Sequence, residues 1–207
     1  MSAFKYWKKI PMIIFISVVL QFGCGSTKPS RFYALRSTLD ADPGIIRTDP
    51  DSHVSVGIDK LKMPDHLLRP QIVTRASGNR MEYAEYDRWA ESLDENFSRI
   101  LAENLSRLLP SENVYIFPWK SSTAIQYYLT PEITQFSHGA DGNTALVVFW
   151  SIYDHTTGKE LLRKKTVLQK PGPAAPVDYG RLVEIMSQLV AEYSREVVAE
   201  LKTLEGK

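Results

Sequence analysis

The chain has 207 residues, of which 43% are hydrophobic and 24% charged, and its formal net charge at pH 7 is +1. This balance argues against a nucleic-acid-binding protein, which needs a clustered excess of lysine and arginine. A single cysteine excludes an internal disulfide, and the length is sufficient for one domain with its own hydrophobic core.

The first 23 residues have the features of a secretory signal peptide. Three lysines precede an uncharged stretch, 10–23, that ends directly before Cys24. The apolar part is shorter than the roughly 20 residues that a membrane-spanning helix needs, so a permanent transmembrane helix is the less favoured alternative. Removal of residues 1–23 takes away three lysines and no acidic residue, so the net charge changes from +1 to about −2.

The position of Cys24 explains why an exported chain contains one cysteine. A Gly23–Cys24 junction after an apolar stretch is typical of the site cut by lipoprotein signal peptidase, and the cysteine of such a protein carries acyl chains. Gln21 and Phe22 depart from the leucine and the small residue usual at these places, so a plain signal peptide followed by an unmodified cysteine is the alternative. Residues 24–30 are predicted to be the lipidated tether, and 31–207 the domain.

Strand patterns begin directly after the tether. Residues 31–35 predict a short strand, and 37–52, rich in Asp and Pro, predict a surface loop. Apolar alternation predicts a strand over 54–61, and β-branched residues predict another over 71–75. The turn residues that follow it predict a hairpin with 81–84.

The clearest helix is predicted from about Arg88 to Leu109, where Pro110 ends it. Its apolar residues recur at steps of three and four, which places them on one face. They are Trp89, Leu93, Phe97, Ile100, Leu101, Leu105 and Leu108. We interpret this face as core packing, and a lipid-binding face is the alternative.

The second half predicts four strands and a final helix. The strands are 114–117, 125–136, 145–153 and 161–168. Turn residues predict that the last three form an antiparallel meander, and Asp178 is a candidate N-cap of the helix. The order of elements predicts an α/β fold: a single domain with a mixed, mainly antiparallel sheet of about five to seven strands, packed by two long amphipathic helices.

Motifs of enzymes and of metal sites are missing from the sequence. His53, His66, His138 and His155 lie in or beside predicted loops and are interpreted as solvated turn residues. The acidic cluster of Glu82, Glu85 and Asp87 alternates with arginines, which favours a salt-bridged surface over a catalytic pair. The sequence predicts no catalytic residue, no metal and no cofactor.

The stretch LKMPDHLLRPQIVTRASGNRMEYAEYDRW, residues 61–89, resembles the ABC-type transport auxiliary lipoproteins. The positions that match the pattern are Pro64, Asp65, Leu67, Arg69, Pro70, Gln71, Ile72, Val73, Arg75, Asn79, Arg80 and Trp89. Further matches extend the resemblance over the mature chain: Tyr33, Leu35, Pro118, Trp119, Thr157 and Gly158.

The resemblance implies a non-enzymatic lipoprotein that faces the periplasm from the outer membrane. Its implied partners are an MCE-domain protein and the associated inner-membrane permease or ABC transporter, which it would dock or cap in intermembrane lipid transport. Some family members form rings, which makes a homo-oligomeric ring an expectation here. Gly25, where inner-membrane lipoproteins commonly have Asp, agrees with sorting to the outer membrane.

Within this stretch, Pro64 and Pro70 fix φ and predict a stiff, extended loop suited to docking. The candidate partner-docking residues are Pro64, Asp65, Leu67, Arg69, Pro70, Gln71 and Arg75. The two arginines pair either with carboxylates of a partner or with those of the hairpin, in which case they brace the fold. Asn79, Arg80 and Trp89 are assigned structural roles, with Trp89 as a core residue of the helix.

Two other functions are compatible with the same lipid anchor. A periplasmic lipid-binding lipoprotein that carries cargo in its own domain is suggested by a group of aromatic residues: Tyr115, Phe117, Trp119, Tyr127 and Tyr128. These residues are also ordinary strand formers. A hydrolase of the cell envelope is the third hypothesis, and no motif supports it.

Overall fold

The computed structural model describes residues 28–39, 54–109, 113–120 and 123–205. The strands are β1 (Arg31–Tyr33), β2 (Val56–Ile58), β3 (Gln71–Arg75), β4 (Met81–Trp89), β5 (Val114–Ile116), β6 (Tyr127–His138), β7 (Asn143–Asp154) and β8 (Glu160–Pro171). The helices are α1 (Leu93–Leu108) and α2 (Tyr179–Glu205). The α/β fold is confirmed, and the described residues form a sheet of eight strands, where about five to seven are predicted. The predicted signal peptide, Cys24 and positions 40–52 of the predicted loop lie outside the described residues.

Strand β6 organises the sheet because its two edges have different neighbours. One edge pairs along its length with antiparallel β7, which pairs in turn with antiparallel β8. The predicted meander is therefore confirmed. The other edge pairs at its beginning with parallel β2, where Gly57 faces Tyr128, and at its end with parallel β3, where Thr74 faces His138. Strand β5 extends the sheet beyond β2, and β4 and then β1 extend it beyond β3, so β5 and β1 lie at opposite ends of this strand order.

The first helix begins five residues later than the apolar pattern predicts. Arg88 and Trp89 belong to β4, where Arg88 faces Gln71 and the Trp89 amide donates to the Pro70 carbonyl oxygen at 2.7 Å. Backbone pairing with β3 therefore keeps Arg88 and Trp89 in a strand, although the sequence pattern also allows a helix there. Helix α1 starts only after Ser92.

The C-terminal end of α1 and the N-terminal end of α2 agree with the sequence prediction. Leu109, before Pro110, has extended backbone (φ −81°, ψ 151°), as expected for a residue that precedes proline. The predicted N-cap is confirmed, because the Asp178 carboxylate accepts the amides of Gly180 and Arg181 at 2.9 and 3.2 Å. Among the described residues, neither helix is long and apolar enough to cross a membrane.

Both helices cover the same face of the sheet, and aromatic side chains fill the space between the two layers. Phe97 of α1 packs edge-on against Phe136 of β6, with ring centroids 5.6 Å apart. Tyr193 of α2 contacts both Phe97 and Trp150, at 6.3 and 5.8 Å. The apolar face of α1 therefore packs in the core, as predicted, rather than facing lipid.

Candidate anchoring and docking surfaces

The strand that follows the tether is fixed to the domain by one buried carboxylate. Asp87 of β4 accepts two hydrogen bonds from the Arg31 guanidinium, at 2.8 and 2.9 Å, and one from the Tyr33 hydroxyl at 2.8 Å. A two-pronged arginine–carboxylate pair restrains direction as well as distance. Strand β1 therefore cannot swing freely on the domain surface.

The charge of Asp87 also changes the titration of its partners. The hydrogen bond to Asp87 raises the pKa of Arg31 above its ordinary value, and the attraction of the carboxylate adds to this effect. Burial raises the pKa of Tyr33, and the hydrogen bond to Asp87 raises that pKa further. Both partners therefore keep their protons, and the contact stays intact around neutral pH.

Residues 34–39, which we call the strap, run beside both helices and are held by side chains of each. Asn96 of α1 accepts the Leu35 amide at 2.6 Å, and Ser187 of α2 accepts the Arg36 amide at 3.2 Å. Two helical turns further along α1, Asn104 accepts a hydrogen bond from the hydroxyl of Ser37 at 2.7 Å. These polar groups are buried, so each needs the partner that the strap supplies.

The strap corrects one sequence prediction. Ser37 and Leu39 were expected in a surface loop, yet both are buried, and Leu39 is fully enclosed. Asn96 and Asn104 lie eight positions apart on the helical face predicted to be apolar, and both are completely buried. They are functional residues that the sequence analysis missed; two asparagines within an apolar stripe were the available signal.

The segment between Pro64 and Pro70 is not the extended loop that its prolines predict. It folds into two overlapping turns, in which the Leu67 amide donates to the Pro64 carbonyl at 2.9 Å and the Leu68 amide to the Asp65 carbonyl at 3.2 Å. The turns bring the side chain of Leu67 into the core, where it is 2% exposed. Leu67 therefore cannot contact a partner, whereas Asp65 and Pro70 remain exposed.

The two candidate docking arginines are not used to brace the fold in the described part of the chain. Neither Arg69, which is exposed, nor Arg75, which is half-buried, forms a side-chain hydrogen bond or ion pair with another described residue. Arg80 does pair with Glu82, at 2.8 Å on the exposed hairpin. The salt-bridged surface predicted for this hairpin is thus present only in part.

The remaining motif residues have different positions. Gln71 begins β3 and is half-buried, and Asn79 is exposed in the hairpin turn beside Gly78, whose positive φ of 68° suits glycine. Trp89 is buried, as expected of a core residue, but it closes β4 instead of opening the helix.

A groove with exposed apolar side chains lies beside the first turn of α1. Two adjoining depressions, of about 370 and 380 Å³, share Asp59, Lys60, Leu61 and Asp94, and we call them together the α1 groove. Its exposed apolar residues are Leu68 from the turn segment and Ile116 and Phe117 from the end of β5. Apolar side chains inside a charged rim are typical of a protein-docking surface.

The aromatic residues proposed to hold lipid are used in packing instead. The ring of Trp119 lies so close to Gly57 that a Cβ atom there would be 3.1 Å from two of its carbon atoms. Phe117 packs edge-on against Trp119, with centroids 5.5 Å apart, and Tyr128 stacks on Tyr153 at 4.9 Å. A depression of about 270 Å³ that Tyr153 helps to line has mostly charged and polar side chains, unlike a lipid-binding cavity.

The described residues also lack a group of side chains that could hold a metal. No group of three histidine, cysteine or acidic side chains is arranged to hold a metal among them. One histidine differs from its prediction: His138 is buried at the end of β6, with its ring 3.4 Å from the Thr144 hydroxyl, rather than solvated in a turn. His53 lies outside the described residues.

Comparison with known proteins identifies the class of protein to which this strapped α/β domain belongs. The family model of the ABC-type transport auxiliary lipoprotein component matches residues 37–198. The chain belongs to this family, which is one of transport components rather than enzymes.

Two curated relatives are named Intermembrane transport lipoprotein PqiC, from Escherichia coli strain K12 and from Shigella flexneri. Each is 22% identical to the chain over 192 residues, which cover 93% of the chain and 97% of the relative. Two solved structures share the fold. A protein described as uncharacterized has a TM-score of 0.68 with 21% identity and covers 84% of this chain and 99% of its own. A protein from Xanthomonas campestris has a TM-score of 0.66 with 11% identity and covers 82% and 93%.

Proposed function

We propose that this chain is a non-enzymatic outer-membrane lipoprotein of an MCE-type intermembrane lipid transport system, in which it docks or caps the MCE-domain assembly and supports membrane integrity. The observation that carries the proposal is the family match over residues 37–198, together with a similarity that extends over nearly the full length of the PqiC relatives.

The membrane attachment in this proposal is an acyl-modified Cys24 after removal of residues 1–23. Between Cys24 and the first residue of β1 the chain spans seven residues, at most about 25 Å when fully extended. The Asp87 contact and the strap support this role, because they transmit the position of the tether to the whole domain.

The proposed partner surface is the α1 groove with the neighbouring exposed residues Asp65, Arg69 and Pro70. It includes the end of β5 and adjoins the first turn of α1, where Asn96 binds the strap, so an anchored β1 holds it at a fixed distance from the membrane. Its proposed occupant is an MCE-domain protein that reaches across the periplasm from an inner-membrane permease or ABC transporter. A ring of several copies would present several such grooves at once and strengthen binding through multivalency.

Crosslinking and co-purification from intact cells tests this proposal. We expect the full-length protein to capture an MCE-domain protein, and Ile116→Asp to lose most of that capture because a charge replaces an apolar contact in the groove. Val167→Asp is the matched control, since Val167 is a similarly exposed apolar residue on β8 that does not line the groove.

Three results would contradict different parts of the proposal. Equal capture by both variants would exclude the α1 groove as the docking surface. No capture of an MCE-domain protein by the unmodified chain would exclude the transport role itself. The Cys24→Ala variant should no longer be found in the outer-membrane fraction. Its retention there would exclude lipid anchoring through Cys24.

A further inference from the structure

Two aromatic side chains on the outer face of the sheet are exposed next to the tether. Phe32 of β1 is 64% exposed and Tyr83 of β4 is 47% exposed. The register places Phe32 beside Arg88. The pairing of β3 with β4 is irregular between Gln71 and Val73, so the face of Tyr83 follows from its neighbour Ala84, which is buried in the core that the helices cover. Since successive residues of a strand point to opposite faces, Tyr83 lies on the other face of the sheet, as does Phe32.

This face is the one that the helices leave open. Tyr33, the neighbour of Phe32, points toward α2, because its ring lies 4.0 Å from the position of a Cβ atom at Gly180. Its hydroxyl and the Arg31 guanidinium both bind Asp87 on that side. Phe32 alternates with these two residues and therefore points to the opposite face, away from the helices.

The tether limits what can lie against this face. Phe32 is eight residues after Cys24, so an acyl-modified Cys24 would hold it within roughly 28 Å of the membrane attachment point even if the chain were fully extended. Because Asp87 and the strap fix β1, Phe32 cannot rotate away from the membrane independently of the domain. Aromatic side chains are favoured at the boundary between the headgroups and the acyl chains.

We propose that Phe32 and Tyr83 form a second membrane contact, in which both rings enter the headgroup region of the bilayer that holds the lipidated Cys24. This inference rests on the proposed lipid anchor. The acyl chains hold the protein on the membrane, and the aromatic pair sets its orientation.

Site-directed fluorescence on vesicles tests the contact. Cys24 is the only cysteine and its sulfur is acylated in the lipidated protein, so Phe32→Cys and Tyr83→Cys can each be labelled selectively with an environment-sensitive dye. The lipidated full chain is reconstituted into vesicles of phosphatidylethanolamine and phosphatidylglycerol. Val167→Cys, 51% exposed on β8, is the matched control for the affinity of the dye itself for lipid.

We expect the labels at positions 32 and 83 to show a blue shift and to lose most of their emission to a spin-labelled lipid with a shallow quencher. The control label should keep its emission and be quenched by aqueous iodide instead. If the protein floats with the vesicles but the labels at 32 and 83 behave like the control, the aromatic contact is wrong and the anchor stands.

Two other results would also overturn the inference. Labels shielded from both the lipid-borne quencher and iodide would assign the aromatic pair to a protein contact, either a second copy or a transport partner. A lipidation-competent chain that does not float with vesicles would remove the anchor and, with it, the basis of the inference.

Discussion

Replacing Asn96 by alanine tests whether buried polar groups hold the strap between the helices. The Asn96 side-chain oxygen accepts the Leu35 amide at 2.6 Å, and both residues are buried. In the variant that buried amide loses its partner. A buried donor without a partner costs roughly 1–3 kcal/mol, and the lost packing of the side chain adds to this cost.

We therefore expect the free energy of unfolding to fall by about 2–3 kcal/mol, a substantial part of the roughly 5–15 kcal/mol typical of a domain. Urea unfolding of the mature chain, followed by tryptophan fluorescence, measures this change. Hydrogen exchange of the Leu35 amide measures the local effect, because release of the strap should expose that amide before the helices unfold.

Asn79→Ala is the matched control, since Asn79 is exposed in the β3–β4 turn and should change stability by less than about 0.5 kcal/mol. The reasoning would be refuted if Asn96→Ala lost no more stability than this control. It would also be refuted if the Leu35 amide kept its full protection from exchange.

Three further substitutions have defined outcomes. Tyr193→Phe should raise the free energy of unfolding by about 1 kcal/mol in thermal melts, because the fully buried Tyr193 hydroxyl has no hydrogen-bond partner among the described residues. Tyr127→Phe should not, because the Tyr127 hydroxyl accepts a hydrogen bond from Gln126. Gly57→Val should cost about 1–3 kcal/mol and shift the fluorescence of the displaced Trp119. Hydrogen bonds from the β7–β8 turn lower the pKa of Asp154 below its ordinary value of 3.8. The contribution of the Asp154 carboxylate to stability is therefore complete above pH 3.8 and is lost as pH falls through the lowered pKa. The free energy of unfolding of Asp154→Asn, measured from pH 5 to about 2, should lack this dependence.

The local patterns of the chain were sufficient for most of the secondary structure. Strand alternation and the glycine turns predicted the β6–β7–β8 meander, because hairpin pairing joins residues that are neighbours in sequence. The Asp178 cap and the proline after Leu109 predicted helix ends for the same reason. Resemblance to the family also came from a continuous motif, which needs no knowledge of contacts.

The errors arose where a second segment decides the outcome. The apolar pattern placed Trp89 on a helix, yet pairing with β3 keeps it in a strand. The prolines predicted an extended loop, yet burial of Leu67 favours the turns. In each case a tertiary contact outweighs a weak local preference.

The sequence by itself determined the class of fold, the hairpins, the helices and the membership of a lipoprotein family. Only the tertiary structure revealed that Asp87 binds Arg31, 56 positions away, and that Ser187 accepts the Arg36 amide across 151 positions. Periodicity reports which face of an element is apolar, but it carries no information about which distant segment satisfies a buried polar group. That choice depends on how the two layers pack, and it places the strap, the α1 groove and the aromatic pair in fixed positions relative to one another.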